Sequence, residues 1–308
     1  MSSSPVYLGI DVACAINKRL SICFASVNRS LLPPIIPWHL TDLIPRGIGN
    51  KEIVATAPFR EAARHVTEAI ARIASEMSWK IERVAIDAPA APPSAGSRLA
   101  EDELGHIGLS SFRTPTVPAW ADIRRKCADH LVNDDTASTL PHANKIWMRF
   151  GFELFTHLRK ELGVEIIEVY PFAIVRTLLP TCRHKSTEQG YREQLEAVAI
   201  RTGWQPQDLE AKLKATLPGS RHDRLDAFMA AWVASMPQKA RRALVTLSGL
   251  MTRSGCLLQT SDSDRALTEL INAKRNGETT TAKLERLTGQ RKGLIEIFLA
   301  VPNRLPQQ

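Results

Sequence analysis

The sequence predicts an α/β protein, a mixed β-sheet covered by helices. Three observations carry that expectation. Two short runs rich in β formers open the chain, a long amphipathic stretch follows from Phe59 to Trp79, and further apolar runs then alternate with helical patterns.

Val6–Val12 is an apolar run broken by one acid, Asp11, and is short enough for a strand. Asn17, Lys18 and Arg19 read as a turn, and Leu20–Val27 as a second strand. So short a connection makes the pair an antiparallel hairpin. A third strand is expected at Trp38–Ile44 or at Glu52–Thr56, after irregular chain imposed by Pro33, Pro34 and Pro37. In the stretch Phe59–Trp79, Ala62, Val66, Ala69, Ile70, Ile73 and Met77 recur at three- and four-residue steps, the stripe of a helix lying on a core. Arg83–Asp87, with Val84, Ala85 and Ile86, is then the fourth strand. The prolines of Asp87–Pro93 (DAPAAPP) stop any regular element.

Arg98–Gly105 reads as a short helix inside an irregular insertion that reaches about Leu140. Pro141–Leu162 is a second long helix, with proline in its first turn and Gly163 as its stop. Val164–Tyr170 is a strand ended by Pro171, and helices follow at Tyr191–Arg201 and Pro206–Ala215. The chain breaks at Leu217–Ser220 (LPGS), and His222–Met236 is a third core helix. The expected division is a core domain over 1–236 and a basic, helix-prone appendage over 237–308.

Apolar residues make up 44% and charged residues 23%, which excludes a disordered or coiled-coil chain. Uncharged apolar stretches such as Ala227–Pro237 fall short of the roughly 20 residues of a membrane helix, so no membrane partner is expected. The N-terminus, MSSSPVYLGID, lacks the basic region of a signal peptide. Five widely spaced cysteines without a CxxC or Cys/His cluster predict free thiols, a cytoplasmic location and no structural zinc. The formal net charge is +8. Residues 237–308 hold 12 basic against 6 acidic side chains, whereas the preceding chain holds 28 against 26. Such an excess favours polyanionic partners, nucleic acid first, through release of counterions from phosphates.

Four acids stand out. Asp11 sits inside an apolar strand, Asp87 ends another, and Asp223 and Asp226 lie three residues apart at the start of the last core helix. An acid among apolar strand residues is costly unless paired or bound to metal. If the first and fourth strands are neighbours, Asp11 and Asp87 face each other, and a third acid from the helix adds to the repulsion. A hard divalent cation, Mg²⁺ or Mn²⁺, resolves such a cluster. The bland alternatives stay open: Asp223 as a helix cap, Asp87 as a turn acid. Trp147 and Trp232 read as core rather than as stacking platforms.

The blocks GIDVA, VAIDAP, RLAEDEL, IIEVYP and HDRLDAFMAAWVA, in this order from about Val6 to Ser235, resemble domain-of-unknown-function family 429 (DUF429). Its members are predicted nucleases of the ribonuclease H-like (RNase H-like) superfamily. The resemblance implies an RNase H-like sheet with an insertion after the fourth strand. It also implies phosphodiester hydrolysis by a carboxylate-held two-metal mechanism. Asp11, Asp87 and Asp226 match metal-binding acids, and Asp223 accompanies Asp226. Arg98 and Glu101 match an Arg-x-x-acid block, for which a local helical ion pair is the plain alternative. Glu168 matches a Glu-x-x-Pro block and could ligate metal, face solvent or pair with a buried base. Lys185 and Arg192 match a downstream basic pair, and His222 is either a proton carrier or a neighbour of the cap. The stretch after Asp11 (VACAINKR) has no glycine, which argues against the phosphate-cradling hairpin of sugar kinases with the same fold. Two rival expectations are a non-catalytic nucleic-acid-binding protein and a phosphohydrolase or phosphotransferase acting on a small nucleotide.

Overall fold

A computed structural model describes residues 4–27, 31–54, 56–106, 109, 111–134 and 139–237. The appendage expected beyond Pro237 and the thiol of Cys256 lie outside the described residues. Strands β1 (Ser4–Asp11) and β2 (Ser21–Ala25) form the expected antiparallel hairpin. A five-residue helix, α1 (Asn50–Val54), and the long α2 (Thr56–Glu76) lead into β3 (Trp79–Asp87). Helices α3 (Leu99–His106), α4 (Val117–Asp134) and α5 (Ala143–Leu162) separate β3 from β4 (Glu165–Glu168). Four more follow: α6 (Pro171–Leu178), α7 (Glu188–Thr202), α8 (Pro206–Thr216) and α9 (Arg221–Ser235).

The sheet order is β2-β1-β3-β4, with β1, β3 and β4 parallel and β2 antiparallel to β1. It is the mixed, helix-covered α/β arrangement of an RNase H-like fold. Alternation along the strands divides the core. Leu8, Ile10, Ile22, Phe24, Val84 and Ile86 join one apolar layer with residues of α2 and α5. Cys23, Ala25 and Ala85 face the other layer, built from α6 to α9. Each fully buried Leu, Ile or Phe contributes about 1.5–3 kcal/mol of transfer free energy.

Three expectations need correction. Neither candidate third strand forms. Trp38–Leu43 is a 3₁₀ turn begun after Pro37, in which Thr41 Oγ1 donates to the Trp38 carbonyl at 2.6 Å. Glu52 lies in α1. The strand ending in Asp87 is therefore third in the chain, and the insertion follows it. That insertion is largely helical rather than irregular, because α4 docks Trp120, Ile123 and Cys127 on the core beside α5. Pro171, expected only to stop a strand, opens α6 at a position where a missing N–H costs nothing.

One close approach positions the rest. A Cβ on Gly9 would lie 2.0 Å from the Ala227 carbonyl and 2.2 Å from the Ala231 nitrogen. Only glycine lets α9 lie this near β1, and Ala227, Ala230 and Ala231 are small on the same face. The helix starts with Gly219 at φ +102° and a capping box between Ser220 and Asp223. Among the described residues, no helix is long and apolar enough to cross a membrane. Cys14, Cys23, Cys127 and Cys182 are buried free thiols.

Candidate metal centre

Asp11 and Asp87 are registered opposite each other at the C-terminal ends of β1 and β3. Strand ends of this kind are where open α/β sheets place ligands. The close packing of α9 brings in Asp226, one turn into that helix and only 1% exposed. One oxygen from each of Asp11, Asp87 and Asp226 lies within 4.8 Å of the others.

Electrostatics show how uncomfortable the arrangement is without a cation. Burial, and then the charges of Asp226 and Asp87, push the Asp11 carboxyl well above the usual range. Burial and Asp226 push Asp87 up to about 7, against the pull of Lys185 and then of Asp11. With two buried carboxyls raised in this way, the cluster favours holding a proton. Asp226 is raised by burial, an effect opposed by Lys185, whose Nζ donates to its Oδ2. Burial works against the charge on Lys185, but Asp226 and Asp87 outweigh it and hold the ammonium protonated. The cluster thus collects a proton and a lysine ammonium, the two cations that the chain and solvent can supply.

A hard divalent cation fits this donor set. The ligand atoms are carboxylate oxygens, close enough to share an ion. Burial and Asp11 push the neighbouring Cys14 thiol up, which keeps it protonated.

The other expected residues divide sharply. Asp223 is not among the converging oxygens. Its Oδ2 accepts the Ser220 N–H at 2.9 Å, while Ser220 Oγ accepts the Asp223 N–H at 3.3 Å, so it caps α9 and acts on Asp11 and Asp226 only through its charge. Glu168 ends β4 beside the cluster, but Arg98 grips both of its oxygens, with Nη1 to Oε1 at 2.7 Å, and the Ala90 N–H adds a third bond at 2.9 Å. Glu101 lies 3.6 Å from Arg98 and accepts from both the N–H and the hydroxyl of Thr114. Arg98 and Glu101 are therefore more than a local helical pair: they tie the insertion to the sheet end.

The basic pair separates. Lys185 is in the cluster, whereas Arg192 lies on the exposed side of α7, paired with Glu188 at 3.0 Å and Glu210 at 3.3 Å. His222 stands edge-on to Tyr191 with ring centres 5.1 Å apart, and burial followed by Arg221 lowers its proton affinity. It neighbours the α9 cap.

A cleft of about 400 Å³ opens beside the carboxylates. Asp11, Asp87, Glu168 and Lys185 line it together with Phe112, Trp147, Tyr170 and Phe172. Trp147, expected as pure core, packs on the core and also lines this cleft, whereas Trp232 is core as expected. Tyr170 and Phe112 escaped sequence reasoning. Tyr170 sits in the IIEVYP block beside the glutamate that drew notice, and burial and Asp87 push its phenol up to about 12. Phe112 had no signal beyond being an aromatic residue in a polar loop.

A family model described as a protein of unknown function, DUF429, matches residues 42–245. That span contains Asp87, Glu168, Lys185 and Asp226 but starts after Asp11, which the fold itself brings to them. No curated protein and no solved structure matches the chain.

Proposed function

The chain belongs to the DUF429 family, and from the geometry of its acids we propose that it is a metal-dependent nuclease of the RNase H-like type. The observation that carries this reading is the convergence of Asp11, Asp87 and Asp226 from three separate elements, at an electrostatic cost that a divalent cation would relieve. Those three residues would hold Mg²⁺ or Mn²⁺. Such ions, when bound, activate a water and stabilise the leaving oxygen of a phosphodiester. Asp226, buried and fixed on α9, sets the depth of the site, while Asp11 and Asp87 face the cleft. Lys185 supplies a fixed positive charge beside Asp226, placed to offset the approaching phosphate. The Arg98–Glu168 pair occupies a fourth carboxylate beside the cluster, whose charge still contributes to raising Asp87. The basic excess after Pro237 supports a polyanionic substrate, and the buried free thiols among the described residues support a cytoplasmic setting.

The test is a panel of single- and double-stranded DNA, RNA, hybrids and branched junctions with Mg²⁺ or Mn²⁺, comparing wild type with Asp87→Asn. Metal-dependent cleavage that Asp87→Asn abolishes is expected. Cleavage persisting in the variant belongs to a contaminant. Mononucleotides are part of the panel, because the pocket-like shape of the cleft also favours a small-nucleotide phosphohydrolase. Turnover of those alone replaces the nuclease reading with that one.

A further inference from the structure

Resting on the nuclease reading, we infer that the aromatic lining of the cleft is a subsite for an unpaired nucleobase, so that the substrate is single-stranded at the cleaved position. The cleft is continuous with the carboxylates. Whatever fills it is joined to the group on which the acids act. In a nucleic acid, the moiety next to a scissile phosphate is a nucleoside. At about 400 Å³, the cleft has the size of a small-molecule site rather than a groove for a duplex.

Its walls match a base. Tyr170 and Phe172 meet at 68° with ring centres 6.4 Å apart, and they pack with Leu104, Leu109 and Ala173 into a small apolar cluster. Phe112, also in the lining of the cleft, is 57% exposed. An exposed phenyl ring in a cleft is a costly feature for water to cover and a good one for a base to stack on.

Phe112 is also held in place. On one side, the Leu109 N–H bonds the Leu104 carbonyl at 2.9 Å. On the other, Thr114 gives both its donors to Glu101, which lies against Arg98 and through it Glu168. Arg113 pairs with Asp102 at 3.4 Å. The bonded chain Thr114, Glu101, Arg98, Glu168 thus links the loop carrying Phe112 to the end of β4, next to Asp87. It anchors the backbone two residues from Phe112 to the sheet end, so that base and phosphate can be positioned together. This gives the buried Arg-x-x-Glu block a purpose that metal binding does not.

The experiment uses the full-length protein with Ca²⁺, which occupies carboxylate sites yet supports little turnover. The probes are oligonucleotides carrying 2-aminopurine, as single strands and as duplexes of the same sequence, in DNA and RNA forms. We expect the single strand to bind more tightly than the duplex and its fluorescence to be quenched by stacking. Phe112→Ala should weaken single-strand binding about 10-fold and relieve the quenching. Phe112→Trp should restore both, and duplex affinity should change little. Equal affinity for single strand and duplex overturns the subsite, as does unchanged binding and fluorescence in Phe112→Ala. Quenched single-strand binding with no cleavage in Mg²⁺ overturns the nuclease reading but keeps the subsite. Cleavage of duplex at a rate indifferent to Phe112→Ala keeps the nuclease and removes the subsite.

Discussion

Two acidic groups lie side by side at the C-terminal edge of the sheet, and the protein treats them in opposite ways. Glu168 and Glu101 are met in full, by the Arg98 guanidinium, the Ala90 N–H and both donors of Thr114. Asp11, Asp87 and Asp226 have between them one lysine and a proton. The first group has the partners expected of buried charge. The second brings three carboxylate oxygens within 4.8 Å of one another with the Lys185 ammonium as counter-charge. On the reading proposed above, the first group is a brace and the second is a site.

Breaking the brace should have the largest effect. Arg98→Met leaves Glu168 buried without its main partner, and a loss of about 3–5 kcal/mol in unfolding free energy is expected by urea titration. A variant as stable as wild type would mean that Glu168 finds water or another cation, and the contrast would fail.

Relieving the site should act in the reverse direction. Two like charges about 4 Å apart repel by roughly 1–4 kcal/mol. Asp11→Asn should therefore leave the metal-free protein as stable as wild type or more so, while abolishing the rise in melting temperature that Mn²⁺ gives the wild type. Loss of stability together with a retained Mn²⁺ shift would place Asp11 among the structural acids.

Proton linkage sharpens the same distinction. The pKa of Asp87 is raised in the folded state to about 7, well above the usual carboxylate range. The folded form therefore binds a proton that the unfolded form has released, and the stability this contributes is present at low pH and lost as pH rises through about 7. In EDTA, Asp87→Asn should flatten the fall in stability between about pH 4 and pH 7. Mn²⁺ must displace that proton, so its affinity should rise with pH over the same window. An affinity independent of pH would show that the proton and the ion do not compete.

The smallest effect is expected at the cap. Ser220→Ala should cost about 1 kcal/mol, with the Mn²⁺ response kept, because Ser220 and Asp223 begin α9 without joining the converging oxygens. A lost metal response would show that the cap also sets the position of Asp226.

How much of this was legible before the structure depended on how local each signal was. Asp11 stood out because an acid in VYLGIDV conflicts with its neighbours, and the hairpin followed from a connection too short for anything else. Asp226 was visible, but so was Asp223, and only the capping bonds tell them apart. Lys185 was marked only by the family resemblance, together with Arg192, since the carboxylate that it bonds is 41 residues away. Arg98 and Glu101 matched a family block with a helical pair as the plain alternative, and the decisive partner, Glu168, is 70 residues distant from Arg98. Trp38–Ile44 has strand-like composition, yet after Pro37 the chain turns as a 3₁₀ segment with Leu40 and Thr41 buried and Trp38 exposed. Long-range partners, rather than composition, decided each of these.

The central claim, that Asp11, Asp87 and Asp226 are held together to bind a divalent cation, is tested most directly by anomalous diffraction from crystals soaked in Mn²⁺. The account predicts density ligated by one oxygen from each of the three, with the Lys185 ammonium drawn back from Asp226. Carboxylates that remain paired with Lys185 and a proton at saturating Mn²⁺, with no ion among them, would contradict it.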